Sequence, residues 1–176
     1  MSEEAAAPLP SVVLVMGVTG AGKTTIASLL ARRLNWPFED GDDFHSSANI
    51  AKMRAGHALD DADRAPWLAA IAARIDEVRA RGEHAVIACS ALRRSYRDVL
   101  IGDRRDVRLV HLEGTAATLR ARLEGREGHF MPASLLDTQC ATLEPPEADE
   151  RAIVVSVEAS PEQIVGDIIA QLRGGP

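Results

Sequence analysis

Residues 17–24 read Gly-Val-Thr-Gly-Ala-Gly-Lys-Thr, with Gly17, Gly22, Lys23 and Thr24 at the fixed places of the pattern G-x-x-x-x-G-K-[ST]. Glycines at this spacing let the backbone N–H groups of Gly17, Val18, Thr19, Gly20, Ala21, Gly22, Lys23, Thr24 and Thr25 curl around an anion. A helix starting there adds the positive end of its dipole. Lys23 has the charge and reach for the outer phosphates of a nucleoside triphosphate, and the Thr24 hydroxyl suits a Mg²⁺ ion beside them. The apolar run Ser11-Val12-Val13-Leu14-Val15-Met16 comes just before, and Thr25-Ile26-Ala27-Ser28-Leu29-Leu30-Ala31 just after. Strand, glycine loop and helix thus occur in the order a phosphate cradle needs, and a nucleoside triphosphate with Mg²⁺ is the expected ligand pair.

A second cluster, Asp40-Gly41-Asp42, closes the strand-like segment Trp36-Pro37-Phe38-Glu39. Carboxylates two residues apart on an extended segment point the same way. At a strand's carboxyl end Asp40 suits the water shell of Mg²⁺, and Asp42 suits accepting the proton of an acceptor hydroxyl. An acidic turn is the bland alternative, since Asp-Gly is turn-rich. A third cluster runs from Arg120 to Phe130, where Arg122 and Arg126 lead into a tip bracketed by Gly125 and Gly128. Mobile arginines of this kind neutralise a transferring phosphoryl group and exclude water, so a lid over about 122–132 is expected, with Arg126 catalytic and Arg122 on the nucleotide. Arg120 by itself reads as an ion-pair partner on a solvated helix. Ser90-Ala91-Leu92-Arg93-Arg94 follows a buried strand, so its hydroxyl and guanidinium groups are expected to face the ligand crevice. The five histidines show no metal-ligand spacing.

These groups need a scaffold, and 176 residues with 46% hydrophobic content suit one domain with a real core. Residues 1–10 are expected to form a flexible tail and 11–176 a single domain. Strands are expected at 12–16, around 37–40, at 85–89, 107–112 and 153–157. Helices are expected at about 22–34, 94–101, 115–124, 133–142 and 161–172, with Thr115 and Ser160 as N-caps of two of them. The longest helix is expected to start near Pro66, a good first-turn residue, and to end at Gly82, burying Trp67, Ile71, Ile75 and Val78. The run from Asp60 to Asp63 reads as a cap for it. Such alternation predicts an α/β fold, a parallel sheet with helices on both faces and ligands beyond the carboxyl ends of the strands.

The net charge of −6, without a basic stripe, argues against nucleic acid as a partner. No apolar run approaches the roughly 20 residues of a membrane span, and the acidic start Met1-Ser2-Glu3-Glu4 lacks a signal peptide's basic region. The cytoplasm, where triphosphates are abundant, is the expected compartment. Cys89 and Cys140 both read as packed, unpaired thiols.

Taken together, Asp40-Gly41-Asp42-Asp43-Phe44-His45, Asn49, Lys52-Met53, and Leu59 with Asp61-x-Asp63-Arg64-x-Pro66-Trp67-Leu68 resemble the gluconate kinases. So do Cys89-Ser90-Ala91-Leu92 with Tyr96-Arg97-Asp98, and Gly128-His129-Phe130-Met131-Pro132 followed by Leu135-Leu136, Gln139 and Leu143-Glu144. The resemblance runs in uninterrupted order over roughly 12–170, departing at Ala58, where a proline is usual, and at Ile101, where a basic residue often stands. It implies phosphorylation of D-gluconate at the 6-hydroxyl by ATP, on a three-layer P-loop fold like that of the shikimate kinases, with five parallel core strands and a lid. It also implies Asp42 as the base for the substrate hydroxyl and Arg64 as a partner for the substrate carboxylate. The segment Ser90 to Arg93 would form another substrate wall, with His45 among the polar groups available. A homodimer is an expectation at the family level only.

Two other readings stay open at this stage. A kinase for another small acceptor, such as shikimate or a nucleotide, would share the phosphate loop, although three Phe, two Trp and one Tyr offer little for base stacking. A non-catalytic nucleotide switch would normally carry N-K-x-D and D-x-x-G, and neither string occurs.

Overall fold

The structure, a computed structural model, describes residues 7–125 and 133–174. In chain order its elements are β1 (Val12–Met16), α1 (Lys23–Leu34), β2 (Phe38–Asp40), a 3-10 turn (Gly41–Phe44), α2 (Ser47–Arg54), α3 (Asp61–Ala80) and β3 (Ala85–Ala88). There follow α4 (Arg94–Leu100), β4 (Val107–Glu113), α5 (Ala116–Glu124), α6 (Ala133–Thr142), a second 3-10 turn (Ala148–Glu150), β5 (Ile153–Ser156) and α7 (Pro161–Arg173). The five strands and the six helices other than α2 fall where the periodicity places them; apart from the start of α3, the boundaries agree within two residues.

The strands form one sheet in the order β2-β3-β1-β4-β5, and every neighbouring pair is parallel. All five residues of β1 are fully buried, as a central strand covered on both faces requires. Because successive side chains point to opposite faces, Val13 and Val15 join one apolar cluster with Ile26 and Leu30 of α1 and Ile164 and Ile168 of α7. Val12, Leu14 and Met16 join a second cluster with Trp67, Ile71 and Ile75 of α3 and Tyr96 and Leu100 of α4. The loops that leave β1, β2 and β3 at their carboxyl ends carry the phosphate loop, the acidic turn and the Ser90 segment.

Three local expectations are corrected. Helix α3 begins at Asp61, well before Pro66, because Asp60 and Asp63 cap it reciprocally: Asp60 Oδ1 accepts the Asp63 N–H at 2.7 Å, and Asp63 Oδ2 accepts the Asp60 N–H at 3.0 Å. Pro66 lies inside the helix, where its fixed φ is compatible and the chain forgoes one backbone bond. Cys140 is exposed on α6, while Cys89 is buried and its thiol is pushed up to about 12 by burial; both are free. Of the expected tail, Leu9 packs against the first cluster and the Pro10 carbonyl meets His84 Nδ1 at 2.9 Å, so these residues join the domain. Helix α2 escaped the periodicity because it has almost no apolar face; Asn49 is its buried residue, and Ser46 caps it.

Loss of the reciprocal cap tests the start of α3. Asp60→Ala is expected to destabilise the fold by about 1 kcal/mol in urea unfolding. An unchanged midpoint and slope would mean that Asp60 is not the residue that starts the helix.

Candidate active site

The phosphate loop turns through Gly20 (φ +82) and Gly22 (φ +88), left-handed conformations that side chains disfavour. Gly22 is the N-cap of α1, and no side chain caps that helix, in contrast to Ser46, Asp60, Thr115 and Ser160 at the starts of α2, α3, α5 and α7. The first turn of α1 also lacks an acid, so the helix presents its positive end to the crevice. Val18, Thr19 and Ala21 are buried, which holds the loop as a rigid cradle, and Lys23 Nζ donates to the Val18 carbonyl at 3.1 Å. Thr25 is exposed in the first turn of α1.

The acidic pair sits directly opposite. Asp40 ends β2, and its two oxygens do different work: Oδ2 accepts from Thr24 Oγ1 at 3.4 Å, and Oδ1 accepts the Asp42 N–H at 3.0 Å. The pairing does not arise from an extended segment, as the two-residue spacing suggested. The strand stops at Asp40, and Asp42 is folded back by the 3-10 turn. That turn needs Gly41, because a Cβ there would stand 2.6 Å from the Ala88 carbonyl at the end of β3. Asp42 opens to solvent within the crevice. The protein around it nevertheless desolvates its carboxyl and Asp40 adds a like charge, so its pKa rises above the ordinary carboxylate value against the pull of Lys23 and His45. A hydroxyl and a carboxylate 3.4 Å apart beside an anion cradle are hard oxygen donors of the kind Mg²⁺ takes, so Thr24 and Asp40 fit that ion. Among the described residues no cluster of three or more His, Cys, Asp or Glu forms a metal cage.

The third wall is built around α3. His45 stacks on Trp67 at 4.2 Å between ring centroids, and Trp67 Nε1 donates to the Gly41 carbonyl at 2.7 Å. One buried indole therefore fixes both the acidic turn and the imidazole. Burial lowers the His45 pKa, with Asp42 opposing and Arg64 assisting. Arg64 lies half-buried on α3, donating to Tyr96 Oη at 3.2 Å and standing 5.5 Å from that ring's centroid. Tyr96 in turn donates to Asp61 at 2.8 Å. Ser90 is half-buried after β3, and Arg93 is exposed at the N-cap of α4 with no ion pair among the described residues. Its neighbour Arg94 is committed to Asp149 at 2.7 Å.

The expected lid falls largely outside the described residues. Arg126 and the stretch Gly128 to Pro132 lie outside the described residues. Arg122, expected on the nucleotide, donates to the Val157 carbonyl and so ties α5 to the loop after β5. Arg120 pairs with Asp137 at 2.9 Å, the surface ion pair expected of it. A separate cavity of about 340 Å³ between β5 and α7, lined by Val154, Ile164, Asp167 and Gln171 among others, lies away from this chemistry.

Comparison with known proteins agrees with this geometry. A family model described as an AAA domain matches residues 12–146. A gluconokinase of Gluconobacter oxydans is 50% identical, and the alignment covers 93% of this chain and 92% of that one. The chain belongs to the gluconokinase family. The crystal structure of a gluconokinase from Sinorhizobium meliloti superposes with a TM-score of 0.84 at 42% identity, over 94% of this chain and 93% of that one. A shikimate kinase from Bacteroides thetaiotaomicron, at 21% identity and a TM-score of 0.63 over 90% and 96% of the two chains, shares the fold alone. Membership in the gluconokinase family makes this chain a kinase, and its P-loop implies ATP as donor. Among the described residues no helix is long and apolar enough to cross a membrane.

Two parts of this gluconokinase-family site carried no legible role in the sequence. Gln139 of α6 accepts the Thr19 N–H at 2.6 Å, joining the helix after the lid to the crest of the phosphate loop across 120 positions. Tyr96 and Asp61 hold Arg64 by contacts 32 or more positions apart or hidden within a capping sequence. Only family resemblance marked these residues. Gln139→Leu strands a buried N–H, at about 1–3 kcal/mol. The expected result is a lower unfolding midpoint together with a raised KM for the nucleotide; both at wild-type values would remove Gln139 from this role.

The charge pattern also predicts a trade between stability and activity. A carboxyl whose folded pKa is raised opposes folding once ionised, so Asp42 costs stability above its unfolded pKa, and that cost disappears as pH falls below the ordinary carboxylate range. Asp42→Asn is expected to raise Tm at pH 7 and to match wild type near pH 3. A Tm at pH 7 below that of wild type would show the reverse coupling.

Proposed function

We propose that this chain transfers the terminal phosphoryl group of ATP to the 6-hydroxyl of D-gluconate, giving 6-phospho-D-gluconate and ADP, in the cytoplasm. The observation that supports it best is Asp42: a carboxyl with a raised pKa, in electrostatic reach of Lys23 and His45 and held by Asp40, which also meets the phosphate-loop Thr24. Donor and acceptor chemistry meet at that one carboxylate.

The phosphate loop and the start of α1 hold the donor phosphates through backbone N–H groups, and Lys23 swings from the Val18 carbonyl to neutralise their charge. Thr24 and Asp40 would hold Mg²⁺, which when bound screens the charge that builds on the phosphate oxygens. Asp42 accepts the proton of the acceptor hydroxyl as that oxygen forms its bond to the terminal phosphorus and the bond to the bridging oxygen of ADP breaks. Its raised pKa strengthens it as a base. Arg64 and Arg93 supply cations for the acceptor carboxylate, and His45 and Ser90 supply hydrogen bonds for its hydroxyls. Arg126 closes over the transferring group in this reading, while Arg122 ties α5 to the loop after β5.

ADP release should be measured with gluconate, shikimate and nucleoside monophosphates as acceptors, for wild type and for Lys23→Ala. Turnover with gluconate alone, lost by at least about a hundredfold in Lys23→Ala, is the expected outcome. Equal rates for the two proteins would sink the mechanism, and preference for another acceptor would sink the substrate. Asp42→Asn should keep ATP binding and lose transfer; unchanged turnover would take the base role from Asp42.

A further inference from the structure

The segment between β3 and α4 contains a strained turn that something must hold. Ala91 is fully buried with φ +46, a left-handed conformation that an alanine side chain resists and that it has no polar group to support. The next element supplies the support. Arg97, 1% exposed on α4, turns back so that Nη1 donates to the Ala91 carbonyl at 2.9 Å and to the Leu92 carbonyl at 3.2 Å. Its Nε and Nη2 grip Glu150 of the second 3-10 turn at 2.6 and 3.2 Å. The Glu144 N–H also donates to the Leu92 carbonyl at 2.8 Å, so the chain from 144 to 150 forms a brace behind this turn.

A buried ion pair is a poor device for stability alone, since desolvation offsets most of its attraction. Burial pushes the Glu150 carboxyl up, yet its hydrogen bonds and charge contact with Arg97 bring it below the usual carboxylate range. What Arg97 does supply is a planar fork that fixes two carbonyls and a carboxylate in one geometry. The residues on either side of the clamped pair are Ser90 and Arg93, whose side chains are not buried.

We propose that Arg97, braced by Glu150, is a positioning residue for the acceptor: it holds the left-handed turn at Ala91 and thereby sets Ser90 and Arg93 against the acceptor's hydroxyl and carboxylate groups. This rests on the reading of Ser90 and Arg93 as acceptor ligands given above.

The test is steady-state kinetics with gluconate and ATP varied separately, alongside unfolding midpoints. Arg97→Lys keeps a charge for Glu150 but loses the fork, and Arg97→Met with Glu150→Gln removes the buried charges together. Both are expected to lower kcat/KM for gluconate by about ten- to a hundredfold, chiefly through KM, with the KM for ATP within about twofold of wild type. Adding Ala91→Gly should restore much of the loss, because glycine adopts this φ without a clamp. A folded Arg97→Lys protein with wild-type gluconate KM would overturn the proposal, as would equal rises in both KM values or no rescue by Ala91→Gly. Ser90→Ala and Arg93→Ala separate the two layers. If neither moves the gluconate KM, the acceptor wall itself is misassigned; if they do and Arg97 variants do not, only this inference fails.

Discussion

The Asp40 carboxylate has two oxygens facing in two directions, one toward the Thr24 hydroxyl and one toward the Asp42 N–H. That division joins the helix that begins at the phosphate loop to the turn that carries Asp42. It works only because β2 ends against β3 so closely that Gly41 has no space for a side chain. Trp67 then closes the arrangement from the opposite side, donating to the Gly41 carbonyl and stacking on His45. Donor loop, acidic turn and α3 are thereby fixed relative to one another by a handful of short contacts, all at the carboxyl ends of parallel strands.

The electrostatics follow from this crowding. Two carboxylates near one lysine, in a crevice that partly excludes water, cannot all be comfortable when ionised, and the discomfort falls on Asp42. The same feature that costs folding free energy makes a better proton acceptor. Elsewhere the charges are spent on architecture: Arg94 on Asp149, Arg104 on Asp76, Arg79 on Asp106 and Arg97 on Glu150. Arg93 is exposed at the N-cap of α4 and, like Arg32, Arg33 and Arg105, makes no ion pair among the described residues.

Much of the scaffold was legible because its signals are local. Runs such as Val12–Met16 are apolar throughout because both faces of the central sheet are covered, and the stripe Trp67, Ile71, Ile75, Val78 repeats with the helix. The start of α3 was misplaced because Pro66 is a strong local marker, whereas the reciprocal Asp60–Asp63 cap competes with it and wins. Helix α2 was missed because hydrogen bonds, from Asn49 to the Asp63 carbonyl at 2.9 Å and from Lys52 to the Asp63 carboxylate at 2.6 Å, hold it against α3 in place of an apolar face.

The phosphate loop, the strand–helix alternation, the identity of the acidic pair and the family are all legible in the residues, because each is written in neighbouring positions or in a run of short motifs. Only the folded chain shows that Trp67 holds the Gly41 turn, that Gln139 braces Thr19, and that Glu150 grips Arg97. The physical reason is range. Periodicity and turn chemistry act over a few residues, whereas a carbonyl, a guanidinium and a carboxylate meet only after the sheet has brought distant segments of the chain to one edge.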